Sequence, residues 1–277
     1  MSRHTLIPAL AHRMRGGRRL NLLWPLHNLP ALQAWFTFDD PAYLKQDAAM
    51  TSAVTADGDP IGAALDRSGN SRHVVQDTTS AKPTWKTSIR NGRAVARLDG
   101  GDWLANVAPG ALLRNVGGAT LVVVLQTTLA GSIKHVMVVS TGTNAASARC
   151  GFSREATGAG TIRLSGRRLD ADSLQMIEAA GAVTGQWGVQ SGRVDYAHSD
   201  AWLYNQGAEI GTTNTWSTDG ATSDTDALSL GVGALSVGTA PITGDVAECI
   251  ICGADIGLPL LQRLWREYLG PKWGLAL

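Results

Sequence analysis

Carboxylates are the side chains in this sequence that come nearest to a catalytic acid and base. Cleavage of a glycosidic bond, for example, uses two carboxyl groups about 5–10 Å apart. The five glutamates are scattered, and only Asp245 and Glu248 stand close together in one strand-like segment. The chain also lacks a G-x-S-x-G elbow, a P-loop and a G-x-G-x-x-G turn between strand and helix. We therefore expect no catalytic residues and a protein that is not an enzyme.

The three cysteines form neither a disulfide framework nor a metal site in our interpretation. Their number is odd, and two of them, Cys249 and Cys252, form a C-x-x-C inside a run that is typical of a buried strand. Residues three apart on a strand point to opposite faces, so the two thiols cannot coordinate the same metal ion. A zinc site would also need a second pair of ligands, which the sequence does not supply. We expect the cysteines to pack in the core.

Calcium is the one cofactor that the aspartates bring into consideration. Asp57 and Asp59 flank Gly58 in the polar loop 48–62, and Asp219, Asp224 and Asp226 lie in the polar loop 207–225 or just beyond it. Calcium takes several oxygens from a flexible loop. Aspartate beside glycine also serves ordinary turn chemistry. The sequence leaves both interpretations open.

A glycan site would place an aromatic ring against a sugar, with polar side chains fixing the hydroxyl groups. Most of the nine tryptophans fall in strand or helix patterns, whereas Trp216 lies inside the polar run 211–226. We predict that Trp216 is exposed and binds a ligand with Asp219 and Asp224. The alternative is that its indole packs the loop against the domain.

The elements that must position these residues are mostly strands. Only 17% of the 277 residues are charged, 32 are glycine, and short apolar or alternating runs recur between turn signals. Thr120–Leu125 is apolar throughout, which predicts a strand buried on both faces. Ala94–Leu98 and Trp103–Val107 surround the sequence Asp-Gly-Gly-Asp and predict a hairpin. The remaining predicted strands are Lys134–Ser140, Thr161–Ser165, Leu174–Ala179, Trp187–Ser191, Ala201–Tyr204 and Leu228–Val232.

One segment near the end of the chain predicts a helix. After Gly257 and Pro259, apolar residues are spaced one, three, one, three and one apart from Leu260 to Leu269. This spacing indicates an amphipathic helix of about three turns, which Gly270-Pro271 would end. Ten or so strands with one helix predict an all-β sandwich or barrel.

The net charge of +1 combines a basic arm with a mildly acidic body. Five arginines precede the first acidic residue, Asp39, and without them the 24 basic residues fall to 19 against 23 acidic ones. We divide the chain into an arm, residues 1–32, and a domain, residues 33–277. The arm residues expected to dock are Arg13, Arg15, Arg18, Arg19, Leu22 and Trp24.

The arm admits several interpretations. Its segments 20–24 and 26–32 are too apolar to stay free in water, so we favour docking on a partner over a solvated tail. An organelle transit peptide is disfavoured because Pro25 and Pro30 interrupt any long helix. Nucleic-acid binding would need more charge and stacking aromatic residues. We expect no membrane span, since no apolar stretch approaches about 20 residues.

Several short motifs occur together in a familiar order. They are Trp35-Phe36-Thr37-Phe38-Asp39, Asp66-Arg67-Ser68-Gly69-Asn70, Lys82-Pro83-Thr84-Trp85, the strand ending Asp99-Gly100, Gly244-Asp245-Val246-Ala247-Glu248, and the tail Tyr268-Leu269-Gly270-Pro271-Lys272-Trp273-Gly274-Leu275. As a set, they resemble the concanavalin A-like, laminin-G-like jelly-roll domains over about residues 33–275. The resemblance implies an all-β jelly-roll sandwich with an extended N-terminal arm and one C-terminal helix.

The resemblance also implies a functional setting. Such domains are frequent in tailed-phage virions, so we expect a non-enzymatic tail, fibre or tail-tip component, in which the sandwich recognises a host-surface glycan. Its partners would be other virion proteins bound through the arm, and we expect a homo-oligomer on the tail or capsid surface. A capsid decoration protein is one alternative. A carbohydrate-active enzyme is another, although the glucanase-like signature E-x-D-x-x-E is missing.

Overall fold

The computed structural model describes residues 26–155 and 160–277, and this part of the chain is nearly all β. Most of the strands are longer than two residues, and they are divided between two packed sheets. The strands are β1 Leu32–Thr37, β2 Leu44–Lys45, β3 Ala63–Ala64, β4 Val74–Val75, β5 Thr84–Arg90, β6 Arg93–Asp99, β7 Leu104–Asn106, β8 Gly118–Thr128, β9 Lys134–Ser140, β10 Ala148–Glu155, β11 Thr161–Gly166, β12 Gln175–Ala180, β13 Gly188–Asp195, β14 Asp200–Asn205, β15 Ala208–Thr213, β16 Ser229–Val232 and β17 Thr243–Cys252.

The two sheets are antiparallel and lie face to face. One has the order β15-β14-β13-β8-β17-β6-β5, and β1 also pairs with β17. We call it the helix-covered sheet. The other, the facing sheet, has the order β12-β11-β10-β9-β16-β7-β4-β3-β2. Each sheet combines hairpin neighbours, such as β13 and β14, with neighbours that are distant in sequence, such as β8 with β17 and β9 with β16, as in a jelly roll. The expected all-β jelly-roll sandwich is confirmed.

The core explains why the central strands are so apolar. Leu121, Val123 and Leu125 of β8 point into the layer between the sheets, whereas Val122 and Val124 point into a second layer outside. The prediction of a strand buried on both faces is therefore confirmed. β17 behaves in the same way: Cys249 lies in the inner layer and Cys252 in the outer one. Burial raises the pKa of the Cys252 thiol to about 12, so it packs as an apolar side chain.

The helix that the apolar spacing predicted covers the outer face of the helix-covered sheet. It consists of α1 Gly257–Arg263, a π-helical segment Leu264–Leu269, and α2 Gly270–Trp273. We call residues 257–273 the terminal helix. The described residues contain no helix long and apolar enough to cross a membrane.

The predicted end of this helix at Gly270-Pro271 is wrong. The Gly270 amide donates to the Trp265 carbonyl five residues back, and this wide turn takes Pro271 into the helix. The helix instead ends at Gly274, whose φ of 61° is the left-handed conformation typical of a glycine just beyond a helix. The sequence has a glycine at both places, and the proline after Gly270 made the first glycine look like the end of the helix.

Part of the predicted arm belongs to the outer layer. Leu26 and Leu29 are buried with Trp35 against the terminal helix. These apolar residues therefore pack on their own chain rather than on a partner. The other arm residues singled out above, including Arg13 and Trp24, lie outside the described residues, and the docking of that segment stays a prediction.

The predicted hairpin between Ala94–Leu98 and Trp103–Val107 is wrong. β6 pairs with β5 and β17 in one sheet, whereas β7 pairs with β4 and β16 in the other. The turn between them crosses from sheet to sheet and is held by the buried Asp102, whose carboxylate accepts from the Asp99 amide at 2.9 Å. A crossing turn and a hairpin turn use the same residue types, so the sequence pattern did not distinguish them.

This turn predicts a pH effect. Burial, together with the nearby Asp99 charge, raises the pKa of Asp102 from 3.8 to about 6. Between about pH 4 and about pH 6 the folded state binds more protons than the unfolded chain does. The free energy of unfolding therefore falls as the pH rises through this range. We expect Asp102→Asn to remove that loss, worth about 1–3 kcal/mol.

Urea unfolding of both proteins across this pH range measures the effect. The difference in unfolding free energy should favour Asp102→Asn increasingly as pH rises. Parallel pH profiles would show that Asp102 does not titrate in this range.

Candidate functional site

A polar cleft opens at one end of the sandwich, between the loop 167–174 and the loop 214–220. Its volume is about 360 Å³, which is within the range of small-molecule sites. β11 and β12 carry the first loop, and the second leaves the edge strand β15. The lining residues are Arg168, Asp172, Ser173, Gln175, Thr215, Trp216, Ser217 and Thr218.

Arg168 ties the two loops of the cleft together. Its guanidinium donates from Nη1 to the Ala221 carbonyl at 3.0 Å and from Nη2 to the Thr218 hydroxyl at 2.6 Å. Within the loop of Arg168 itself, the Leu169 amide donates to Asp172 at 2.9 Å, which shapes the turn before β12. The cleft walls are therefore fixed before any ligand arrives, which lowers the entropy cost of binding.

The second loop is also anchored to the β13–β14 turn. The Trp216 amide donates to the Ser199 carbonyl at 2.9 Å, the Ser217 amide donates to the Ser199 hydroxyl at 2.9 Å, and the Gly220 amide donates to the Tyr196 carbonyl at 2.9 Å. Ser199 returns a hydrogen bond to the Ser217 carbonyl. These bonds hold the loop across the end of the sandwich, where its residues Thr215 to Thr218 line the cleft.

The predicted exposure of Trp216 is wrong. Its relative accessibility is 0%, and its ring belongs to the inner core. The polar run that surrounds it is not a free loop, since β15 occupies its first part and the rest returns over the core. The indole forms the floor of the cleft, and its Nε1, like Nε of Arg168, is buried without a hydrogen-bond partner among the described residues.

The other predicted ligand residues do not meet at one point. Asp219 is exposed near the cleft. Asp224 lies with Asp226 around Arg114, at 3.0 and 2.9 Å. Their charges are therefore engaged by a surface arginine, and the role of Asp219 and Asp224 in ligand binding stays a prediction.

The calcium candidates in the loop 48–62 have partners within the protein: Asp57 binds residues of β5, and Asp59 binds amides of its own turn. Asp57 accepts from Lys86 and from the Thr87 amide, and Asp59 accepts from the amides of Thr55 and Ala56. Over residues 26–155 and 160–277, no three His, Cys, Asp or Glu side chains converge as a metal site would need.

A buried arginine holds the base of the cleft loops. Arg149 is 1% exposed, and its Nη1 donates to the carbonyls of Thr225 at 2.9 Å and Leu113 at 3.2 Å. Its Nη2 donates to the Thr225 hydroxyl at 2.7 Å and lies 3.4 Å from Asp170 in the loop 167–174. Burial lowers the pKa of Arg149, and the Asp170 charge acts in the opposite direction. This single side chain therefore connects three loops.

Asp245 and Glu248, the one close carboxylate pair of the sequence, have structural roles. Asp245 is bound by Arg97 through two hydrogen bonds of 2.7 and 3.0 Å. Glu248 is 1% exposed and accepts from Trp35, Tyr268 and Trp273, each at 2.8 Å, while Lys272 lies 3.0 Å away.

The lysine of this group reaches a second carboxylate. Lys272 Nζ lies 3.1 Å from Asp39 and donates to Thr37 at 2.9 Å. The opening motif of the domain, its closing strand and its tail motif thus meet in one buried network on the helix-covered sheet. Every Glu248 oxygen is engaged there, which leaves this carboxylate no part in acid–base chemistry.

The sequence analysis missed the residues that form most of the cleft. Arg168, Asp172 and Ser173 lie in a polar run between two predicted strands, and Gln175 lies in the second of these strands; that polar run was the available signal. The neighbouring strand β15 was also missed because it lies at a sheet edge and has few apolar residues.

Comparison with known proteins identifies the fold class. No family model and no curated protein matches the chain. A GH54 α-L-arabinofuranosidase soaked with a cyclic sulfate inhibitor superimposes with a TM-score of 0.64 and 11% identity, over 88% of this chain and 64% of that one. An arabinofuranosidase in complex with arabinofuranosyl-α-1,2-xylobiose gives 0.59 and 10%, over 78% and 52%.

A smaller solved structure covers part of the same sandwich. The CBM40 of Ruminococcus gnavus IT-sialidase bound to α2,3 sialyllactose gives a TM-score of 0.49 and 18% identity, over 60% of this chain and 94% of that one. At these identities the likenesses concern the fold alone. The chain is an all-β jelly-roll sandwich.

Proposed function

We propose that this protein is a non-enzymatic, lectin-like domain that binds a glycan in the cleft between the loops 167–174 and 214–220. The observation that carries the proposal is the cleft itself, because polar side chains from two braced loops line about 360 Å³ of space above a buried indole. Two solved structures with the same fold are arabinofuranosidases, one of them in complex with arabinofuranosyl-α-1,2-xylobiose, which supports a carbohydrate as the ligand class.

The chemistry of the cleft suits sugar hydroxyl groups. Ser173, Thr215, Ser217 and Thr218 can donate and accept, Gln175 can do both through its amide, and Asp172 accepts. Each hydrogen bond that replaces one to water contributes about 0.5–1.5 kcal/mol. Several such bonds give a weak single site, so useful affinity would come from several copies acting together.

We further propose that the domain is displayed on a virion, on a tail, fibre or tail tip. Support comes from the resemblance of the motifs at residues 33–275 and from the basic, apolar segment before residue 26, which would bind other virion proteins. A homo-oligomer would bring several clefts to one host surface. Deletion of residues 1–25 should abolish attachment to the particle while glycan binding persists; attachment to heads alone would favour a capsid decoration protein.

Glycan binding is tested with the full chain on a glycan array, followed by calorimetry with the best ligand. We expect Ser173→Ala combined with Gln175→Ala to weaken binding about tenfold or more, since two hydrogen-bonding groups are lost. Met176→Ala is the matched control, because Met176 follows Gln175 on the same strand, is 48% exposed and does not line the cleft.

The outcomes separate the functions. Equal loss in the cleft variant and the control, or no binding on the array, would contradict the proposal. Release of sugar from a bound polysaccharide would show the carbohydrate-active enzyme instead. Thermal unfolding of each variant confirms that the fold is intact.

A further inference from the structure

A second pocket opens beside the end of the terminal helix. Its volume is about 570 Å³, and its walls include Arg90, Gln186, Trp187, Gln206 and Leu275. Trp187 immediately precedes β13, whereas the glycan cleft is anchored to the turn that follows β13. The two sites therefore lie at opposite ends of this strand and share no lining residue.

Hydrogen bonds fix the wall that carries Trp187. Gln206 Nε2 donates to the Trp187 carbonyl at 2.6 Å, and the Val189 amide donates to Gln206 Oε1 at 3.3 Å. The Gly185 amide donates to the Thr127 carbonyl at 3.0 Å. The segment before β13 is thus held against the sheet before any ligand arrives, which lowers the entropy cost of binding.

Arg90 keeps one side of its guanidinium free. Its Nε donates to the Trp273 carbonyl at 2.8 Å, and its Nη2 donates to the Gly274 carbonyl at 2.6 Å. These bonds occupy the side of the guanidinium that Nε and Nη2 form. Of its five N–H groups, both on Nη1 and the second on Nη2 remain unbound by the described residues. The end of the guanidinium is therefore available as a two-pronged donor.

The pocket carries a positive charge without a negative one. No Asp or Glu of residues 26–155 and 160–277 lines it, and none of them forms an ion pair with Arg90. Leu277, which bears the terminal carboxylate, is not among the lining residues either. A ligand with a carboxylate would therefore meet an unopposed cation.

An indole and an amide complete the pocket. Trp187 is half-buried, with its ring packed against the outer layer, and its Nε1 is neither buried nor bonded within the described part of the chain. Gln186 is exposed, so its side-chain amide can donate and accept. An aromatic wall with a few placed polar groups is typical of a small-molecule site.

These groups together select one class of ligand. A guanidinium end binds a carboxylate through two parallel N–H···O bonds, and a planar indole packs against the apolar face of a sugar ring. A neutral sugar would leave the free end of Arg90 facing water. A simple carboxylate would leave the ring of Trp187 uncovered. A uronic acid satisfies both, since it joins a carboxylate to a sugar ring.

We propose that this pocket binds a uronic acid residue of an acidic polysaccharide, with its carboxylate on Nη1 and Nη2 of Arg90, its ring on Trp187 and a hydroxyl group on Gln186. This site goes beyond the glycan cleft in place and in ligand class. Two sites at opposite ends of β13 allow one domain to hold two sugar residues, and binding at one raises the effective concentration at the other.

Nuclear magnetic resonance of the full chain, ¹⁵N-labelled and without a C-terminal tag, provides the direct test. Methyl glucuronide should shift the indole N–H signal of Trp187, which is assigned by its absence in Trp187→Phe. Methyl glucoside and acetate should each need at least about tenfold higher concentrations. Equal responses to glucuronide and glucoside, an equal response to acetate, or an unmoved Trp187 signal would overturn the proposal.

Substitutions provide the second test. Arg90→Lys keeps the charge but removes the two-pronged donor, and it should weaken glucuronide binding about tenfold or more. Arg266→Lys makes the same change at an exposed arginine of the terminal helix that does not line the pocket, and it should have no effect. Because Arg90 also binds the end of this helix, Gln186→Ala is a second variant; it removes an exposed side chain and should weaken binding about threefold or more.

Thermal unfolding identifies which variants are folded. Unchanged affinity in either folded pocket variant would contradict the proposal. The cleft variant, Ser173→Ala combined with Gln175→Ala, should bind methyl glucuronide as the unaltered chain does. Loss of glucuronide binding in that variant would place the ligand in the cleft and overturn the second site, whereas failure of the cleft to bind a glycan would leave this pocket's result unaffected.

Discussion

Replacement of Glu248 by glutamine is expected to lower the free energy of unfolding by about 3–5 kcal/mol, the cost of removing one partner from a buried ion pair. Glutamine has nearly the same shape, and its oxygen can still accept from Trp35 and Tyr268. Its amide nitrogen would face Trp273 Nε1 and Lys272 Nζ, which are both donors. The variant would therefore lose a charge and force donors against each other in a place that water does not reach.

Urea unfolding followed by tryptophan fluorescence measures this effect. Glu267→Gln is the matched control, because it makes the same change on the terminal helix, where Glu267 pairs with Arg263 at the surface and both side chains are about half exposed. An exposed pair of this kind contributes about 0.5 kcal/mol or less. If the two variants lose similar stability, the network around Glu248 does not hold the terminal helix to the sheet.

Arg149→Met is the second substitution with a large expected effect, a loss of about 2–4 kcal/mol. Methionine fills much of the same space but removes the hydrogen bonds of a buried guanidinium to the Thr225 carbonyl and hydroxyl and its ion pair with Asp170, while the Leu113 carbonyl keeps only its bond from Thr222. A hydrogen bond to a charged group contributes about 1.5–3 kcal/mol. Because Arg149 connects the loops on both sides of the cleft base, glycan affinity should fall as well.

Arg114→Met separates this effect from a general loss of positive charge. Arg114 binds Asp224 and Asp226 on either side of Thr225, but its side chain is 42% exposed. We expect a change of about 0.5 kcal/mol or less. Chemical denaturation and calorimetry with the array-selected glycan give both quantities. A cleft that binds normally in Arg149→Met would show that the loops are held by other contacts.

Much of the fold was predictable because its signals are local. The apolar run in β8 and the positions of Cys249 and Cys252 in β17 directly reflect which faces are buried. The spacing of Leu260 to Leu269 likewise indicated the helix. The sequence did not show why the motifs that resemble jelly-roll domains occur together. In the structure, Glu248 accepts hydrogen bonds from the opening motif and from the tail motif.

The errors concern contacts between distant segments. Trp216 was expected at the surface because its sequence neighbours are polar, yet the space beneath it is created by strands far away in the chain. The turn before Trp103 looked like a hairpin because turn residues do not record which sheet the next strand joins. The cleft was missed for the same reason, since two polar loops become a site only when the fold brings them together.

The outer layer determines which side of the protein faces a surface when the chain is immobilised by its C-terminus. Leu26 at the start of the described chain and Leu277 at its end both pack in the cluster around the terminal helix, and none of the cleft residues belongs to that cluster. A biotin, a fusion or a surface linker placed at the C-terminus would therefore be attached on the helix-covered side, and the cleft would stay open to the solution. For glycan arrays and particle assays, C-terminal immobilisation is thus the orientation that presents the proposed binding site.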